Sequence, residues 1–505
     1  TIPVQTGSRN EVEPGKSGFA HFFEHMMFRG TKAYPPEKYQ EVITRAGARQ
    51  NAYTSDDLTN YYTTFAKEDL ETVLKVEADR FQHLDYPVEA FKTESRAVLG
   101  EYNKNSANPM QKLFEVQRDA AFTTHTYKHT TMGFLKDIED MPNQYDYSKV
   151  FFDRWYRPEK TTIIVAGDVD PKKAIAMVEK YWAGWKKGTY KAPVPSEPAP
   201  AGAQYRHVPW PTSTLPLVTV AFRAPAFSET QKDGAALSML LSLSFGRTSP
   251  LYKRLVQDEQ KVDQLIDLTP NRVDLTLATI GARVKKPADA LYVRNAILQT
   301  VARLRDTQVT AKELQDAQSA QKYGLVRTLD NTEQIAATLA SYVHFNRSYG
   351  TLNRYYRLVD SLTPADLQAA ARKYLVDDSM VVTTLAHDAL PAGIEALPKL
   401  ASMTPKTGDA NFEVLVQKSA LPQVRFKLLF AAGSAHDPKG KEGLAALTAS
   451  MVASAGSSAR KIDEVTKALF PLAGSFTEQV DKEMTTFSGS IHKDNWDEYI
   501  GLALP

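Results

Sequence analysis

The sequence predicts an α+β fold made of repeated units, each an antiparallel-rich sheet packed with helices. Three observations carry that expectation. Strand-like and helix-like stretches alternate along 505 residues, too long for one core and suited to roughly two to four domains. Proline-rich stretches interrupt the chain at 186–216 and 388–411. A late stretch also repeats an early one. Gly433-Ser434-Ala435-His436, continuing through Gly443 to Met451, lays over Gly7-Ser8-Arg9-Asn10 through Gly18 to Met26 with a single gap. The expected division is a first unit at 1–190, a linker at 191–212, a second unit at 213–390, a linker at 391–410 and a truncated third unit at 411–505.

The elements follow in order. Thr1 to Thr6 reads as the end of a strand, so the natural N-terminus is expected upstream. Asn10 to Gly18, with Pro14 and Gly15, is a loop ending in Ser17, the expected N-cap of the next helix. That helix closes near Gly30, and Pro35-Pro36 marks the loop after it. Glu37 to Ala46 is helical and stopped by Gly47. Asn51 to Phe65, rich in Thr and Tyr, reads as a hairpin turning at Ser55-Asp56-Asp57. Lys67 to Gln82 is a helix with Leu70, Val73, Leu74, Val76 and Phe81 as its apolar side, and Pro87 to Asn103 is another. Thr161 to Gly167 reads as a buried strand and Asp170 to Trp185 as a closing helix. After the first linker the order resumes, with a strand at 217–222, a helix from Gly234 to Phe245 and several long helices. Tyr374 to Ala386, with its strand from Ser379 to Thr384, parallels Tyr156 to Gly167.

Composition narrows the function classes. Acids and bases nearly cancel, leaving a net charge of +2, so no basic footprint suits nucleic acid. There is no cysteine, which removes disulfides, cysteine-type zinc sites and thiol catalysis. No apolar run approaches the length of a membrane span.

Chemistry gathers in Gly18 to Phe28, at His21-Phe22-Phe23-Glu24-His25. Four residues apart on a helix, His21 and His25 share a face and can grip one zinc ion. Glu24 reaches the same region, where a carboxylate can take a proton from a zinc-activated water. The order inverts the commoner His-Glu-x-x-His. The other reading is an apolar helix, built on Phe19, Phe22, Phe23, Met26, Met27 and Phe28, with two buried histidines. The internal copy weighs against it. There Ala446, Ala449 and Ser450 stand where His21, Glu24 and His25 stand in the first unit, so the scaffold does not need histidines.

A catalytic zinc takes three protein ligands. Glu94 and Glu101, seven residues apart on one predicted helix, share a face with Ala97 and Val98 between them. A solvated helix face is the alternative for that pair, and a simple turn residue is the alternative for Asn51.

His21-Phe22-Phe23-Glu24-His25, the glutamates at 94 and 101, and Asn51-Ala52-x-Thr54 with Asp57 and Tyr61 together resemble the pitrilysin/insulinase family of inverted-motif zinc metallopeptidases, in the manner of a bacterial member. The resemblance covers the chain in order of parts and is strongest over the first 170 residues. It implies one Zn2+ per chain on His21, His25 and Glu101, with Glu24 as general base. Glu94 is implied as a second catalytic carboxylate that supports the site from nearby. Asn51, Ala52 and Tyr53 are implied to be an edge strand on which a peptide pairs in extended form. The family fold implies four similar units in two halves that close like a clamshell around a chamber. This chain supplies two units and the start of a third, so a missing C-terminal half or a partner subunit is expected to complete the chamber.

The implied function is a zinc endopeptidase acting on peptides or small unfolded segments, with a periplasmic location implied at family level. The alternative is a non-catalytic scaffold or partner subunit, because the fold has lost its chemistry once within this chain. In the family, an Arg and a Tyr seven residues apart face the zinc from the opposite half and stabilise the oxyanion. The matching stretch here, 251–263, has Val256 and Asp263 at those positions, with Arg254 and Tyr252 as nearby substitutes. Zinc binding without efficient turnover is therefore expected of these 505 residues alone.

Overall fold

A computed structural model describes residues 1–403, 423–457 and 460–503. Helices and antiparallel-rich sheets alternate along it, as the sequence predicts, and three sheets organise the described residues. The first contains β1 (Ile2–Val4), β2 (Arg49–Thr54) and β3 (Thr59–Thr64) in the order β1-β3-β2. All its pairings are antiparallel, with Ala52 opposite Tyr61, so β2 has one free edge. The second contains β4 (Gln204–Pro209), β5 (Leu217–Ala224), β6 (Val262–Leu268), β7 (Thr276–Val284) and β8 (Val381–Ala386), ordered β4-β8-β5-β7-β6. Only β4 and β8 run parallel. The third contains β9 (Gln423–Phe430), β10 (Ser475–Val480) and β11 (Thr485–His492), ordered β10-β11-β9.

Several expectations need correction. Thr161 to Gly167 is not a regular buried strand. It lies beside β1, with the Thr162 N–H donating to the Pro3 carbonyl at 3.1 Å and the Ile164 N–H to the Thr1 carbonyl at 2.9 Å. β1 offers only three residues to pair with, so most of the segment stays half-buried. The stretch 191–212, expected to be all linker, contains β4. Pro209 ends that strand at a sheet edge, where a missing N–H is tolerated. Glu197, in the same stretch, accepts the N–H groups of Thr123, Thr124 and His125 at 2.8, 2.9 and 2.8 Å, strapping the segment to the first unit. In the second proline-rich stretch, Leu400 is buried in the core of the second sheet's helices, and Arg294 donates to the Ile394 and Ala396 carbonyls at 2.6 and 2.8 Å. Residues 404–411 of that stretch lie outside the described residues.

Ser17 is not the N-cap either. Its hydroxyl donates to Asp137 at 2.6 Å. Gly18 takes the capping position in the left-handed region, φ +92°, where a Cβ would come within 2.3 Å of Ile138. The freed N–H groups of Gly18 and Ala20 both donate to the buried Glu11 carboxylate at 2.7 Å. The third unit repeats the device. Gly443 sits at φ +94°, and Asp437 accepts from the Gly443 and Ala445 N–H groups at 2.7 Å each.

The first two units interlock. Helix Pro109–Ala121 lies on the second sheet, with Leu113 packed against Val208, Leu217 and Leu385. From the same helix, the Gln117 side-chain amide donates to Thr219 at 2.7 Å and accepts from Thr279 at 3.2 Å. The hairpin turn reaches across in the same way. Asp56, buried, meets Arg118 at 2.8 Å and Arg272 of the second unit at 2.7 Å. Burial alone would raise the Asp56 carboxyl, but the two guanidinium charges hold it well below the usual carboxylate range.

Asp56→Asn should therefore destabilise the chain at pH 7 by about 3–5 kcal/mol, because it leaves two cations around a neutral group. The folded pKa is depressed, so the contribution is complete above the unfolded value of about 3.9 and is lost as pH falls through the folded pKa. Melting curves of both proteins should separate clearly at pH 7 and draw together below about pH 4.

Candidate metal centre

Helix Phe19–Met26 buries Phe19, Phe22, Phe23 and Met26 completely, which leaves His21, Glu24 and His25 to its remaining surface. The two imidazoles face each other with ring centroids 4.9 Å apart. Helix Val88–Ser106 packs against this helix through Phe91, whose ring meets Phe22 edge-on at 5.0 Å. The packing delivers Glu101 to the histidines. Its Oε2 lies 3.6 Å from His21 Nε2 and 3.5 Å from His25 Nε2. All three ligand atoms lie within 4.8 Å of one another, and no other group of this kind occurs among the described residues.

These distances bear on zinc. A tetrahedral ion with bonds of about 2.0–2.1 Å holds its donors about 3.3–3.4 Å apart. The Glu101 oxygen, at 3.5 and 3.6 Å from the two imidazole nitrogens, is close to that requirement, and the three donor atoms together lie within 4.8 Å. Burial, followed by the neighbouring His25, lowers the His21 pKa to about 4, so the ring is neutral and able to ligate at pH 7.

The structure places Glu94 behind His25 rather than among the donors. It is buried, and its Oε2 lies 3.2 Å from His25 Nδ1 while its Oε1 pairs with Arg29. Glu24 accepts a hydrogen bond from the Thr54 hydroxyl at 2.6 Å. Burial raises the Glu24 pKa, and the Thr54 bond and His25 oppose that rise. Asn51, Ala52 and Tyr53 lie on the free edge of β2, with Tyr53 exposed. The Ala52 N–H donates to Asn51 Oδ1 at 2.9 Å.

Other expected residues are not brought to this site. Val256 and Tyr252 pack against the core of the second unit, and Asp263 accepts from Arg283 at 2.8 Å. Arg254 lies 3.8 Å from Glu259 and 5.9 Å from the Tyr292 ring. All of these partners belong to the second unit. Sequence reasoning missed Arg29 and the bond from Thr54 to Glu24. The one available signal for Arg29 was a basic residue one turn beyond His25, at the helix C-terminus.

Comparison with known proteins gives the family context. The sequence model described as "Insulinase (Peptidase family M16)" matches residues 1–134, and "Peptidase M16 inactive domain" matches 144–321. A zinc protease of Helicobacter pylori, PqqE, is 29% identical over 385 residues, covering 74% of this chain and 84% of the relative. The crystal structure of a protease from H. pylori superposes with a TM-score of 0.71 at 26% identity, over 76% of this chain and 92% of that one. The periplasmic protease PqqL of Escherichia coli superposes with a TM-score of 0.66 at 19% identity, over 99% of this chain. This chain spans 62% of the PqqL chain, and at that identity the likeness concerns the fold alone.

A three-donor site fails when it is cut to two. Purified in the presence of zinc and desalted, the wild-type chain is expected to retain about one ion and His21→Ala close to none, measured by elemental analysis. Equal zinc in both would remove His21 from the donor set.

Proposed function

The chain belongs to the insulinase family, peptidase family M16, and on that premise we propose that it is the zinc-binding part of an endopeptidase acting on extended peptides or small unfolded segments. One observation carries the reading: His21, His25 and Glu101 converge from two helices, with Glu24 beside them on the same turn. One Zn2+ per chain, held by those three side chains, would polarise a peptide carbonyl and lower the pKa of a water to about 7.

The chain's own residues do the rest. Glu24 takes the proton from the attacking water at its carboxylate and returns it to the leaving amine. Its raised proton affinity suits both steps. The Thr54 hydroxyl holds the Glu24 Oε2 in one orientation. Glu94 holds His25 by its Nδ1, leaving Nε2 for the metal. The β2 edge at Asn51, Ala52 and Tyr53 takes the substrate as an added strand, so main-chain bonds supply affinity with little demand on sequence. A cavity of 590 Å³ lined by Thr54, Phe114, Gln117, Thr131 and Leu268 gives the bound peptide room beside the site.

In this reading residues 1–190 are the catalytic unit and 213–390 a non-catalytic partner, with 411–505 beginning a second half. The completed molecule is a two-half chamber, closed by further C-terminal sequence or a partner subunit. A periplasmic location accords with the description of PqqL. The scaffold reading is favoured by one observation, the inactive-domain match over 144–321. The intact donor set in the first unit weighs against it.

Glu24→Gln tests the reading directly. Gln fills the same space but cannot accept a proton, so zinc content should stay unchanged while hydrolysis of an internally quenched peptide falls about 10²–10⁴-fold. A near-wild-type rate would dismiss Glu24 as the base.

The oxyanion that develops during hydrolysis needs hydrogen-bond donors. Val256 and Asp263 supply no donor, and missing one costs about 10²–10³ in rate. Residues 1–505 alone should bind zinc and turn over slowly, with activity rising when the complementary half is added. Full peptidase activity of the isolated chain would overturn the two-half account.

A further inference from the structure

We infer that Arg29 is a positioning residue for the metal centre, acting through Glu94; this rests on the zinc reading above. Arg29 lies just beyond helix Phe19–Met26, its N–H bonded to the Met26 carbonyl at 2.9 Å. Its side chain is 41% exposed, whereas that of Glu94 is 5% exposed. The guanidinium pairs with Oε1 of Glu94, and Oε2 of the same carboxylate lies 3.2 Å from His25 Nδ1. The other nitrogen of that ring, Nε2, lies 3.5 Å from Glu101. A continuous polar chain therefore runs from solvent to a ligand atom.

Each link has a physical reason. A carboxylate that accepts from Nδ1–H fixes both the plane of the imidazole and the tautomer that leaves Nε2 free. Glu94 can do this only if it is itself held. A buried carboxylate without a cationic partner is costly, and its side chain has other rotamers to take. The planar fork of Arg29 occupies one oxygen and leaves the other aimed at His25. His21 has no equivalent support. Its Nδ1 is buried without a hydrogen-bond partner among the described residues. Orientation of the donor set by an outer partner therefore falls on the His25 side, and there it begins at Arg29. Residues that orient ligands in this way typically change metal affinity about 10–100-fold when removed.

The test measures zinc dissociation constants by chelator competition on the 505-residue chain, comparing wild type, Arg29→Met, Arg29→Gln, Arg29→Lys, Glu94→Gln and the double variant Arg29→Met/Glu94→Gln. The expected result is about 10-fold or greater weakening in Arg29→Met and Arg29→Gln, and partial retention in Arg29→Lys. If Arg29 acts through Glu94, its removal adds nothing in the Glu94→Gln background. Circular dichroism and melting temperature report folding, and Arg29→Gln gives the same reading on a milder change. Affinity within about twofold of wild type in folded Arg29→Met or Arg29→Gln overturns the inference while leaving the zinc site standing. An equal loss in both backgrounds overturns the route through Glu94. A wild-type chain that binds no zinc overturns the proposed function and this inference with it.

Discussion

The packing of helix Phe19–Met26 on helix Val88–Ser106 is the contact on which the candidate site depends. The donors sit on two helices far apart in sequence, so their distances are set by how closely those helices approach. Apolar side chains set that approach. Phe22 and Phe91 meet edge-on at 5.0 Å, and Val98, between the two glutamates, is fully buried. Each such side chain contributes about 1.5–3 kcal/mol by leaving water. The site is therefore polar chemistry mounted on a dry contact, and small changes in that contact would move Glu101 relative to both rings.

The comparison between the first and third units separates scaffold from chemistry within one chain. Gly18 and Gly443 share their left-handed backbone, and Glu11 and Asp437 cap the following helix with the same pair of bonds. These features answer to helix geometry, since the first N–H groups of any helix need acceptors. The positions of the candidate site differ: Ala446, Ala449 and Ser450 stand where the first unit has His21, Glu24 and His25. Geometry thus persists where the donors do not. His21, Glu24 and His25 therefore answer to something other than folding.

Much of this was legible in the sequence, for identifiable reasons. The histidine pair, the hairpin around Asp56 and the internal repeat depend on local periodicity and turn chemistry, which a sequence carries directly. What escaped depends on distant partners. Ser17 looks like an N-cap, but Glu11 reaches the helix N-terminus first and Ser17 is drawn to Asp137. Residues 161–167 have strand composition but only a short partner in β1. β4 is hidden in a proline-rich stretch because its pairing strand lies at 381–386. Arg29 is an ordinary surface arginine until helix Val88–Ser106 brings Glu94 beside it.

The hairpin β2–β3 ties these levels together. Its free edge, at Asn51 to Tyr53, is open to an added strand. One residue on, Thr54 holds Glu24 at 2.6 Å. Two residues further, Asp56 meets Arg272 of the second unit, and Asp57 accepts from the Tyr127 hydroxyl at 2.5 Å and the Val273 N–H at 3.0 Å. A strand is stiff along its length, so these three attachments are not independent. The second unit holds the turn, and two residues before Asp56, Thr54 holds the Glu24 carboxylate on helix Phe19–Met26. The second unit thereby bears on the candidate site through Arg272 and Val273. Its contribution is positional, through the turn it grips.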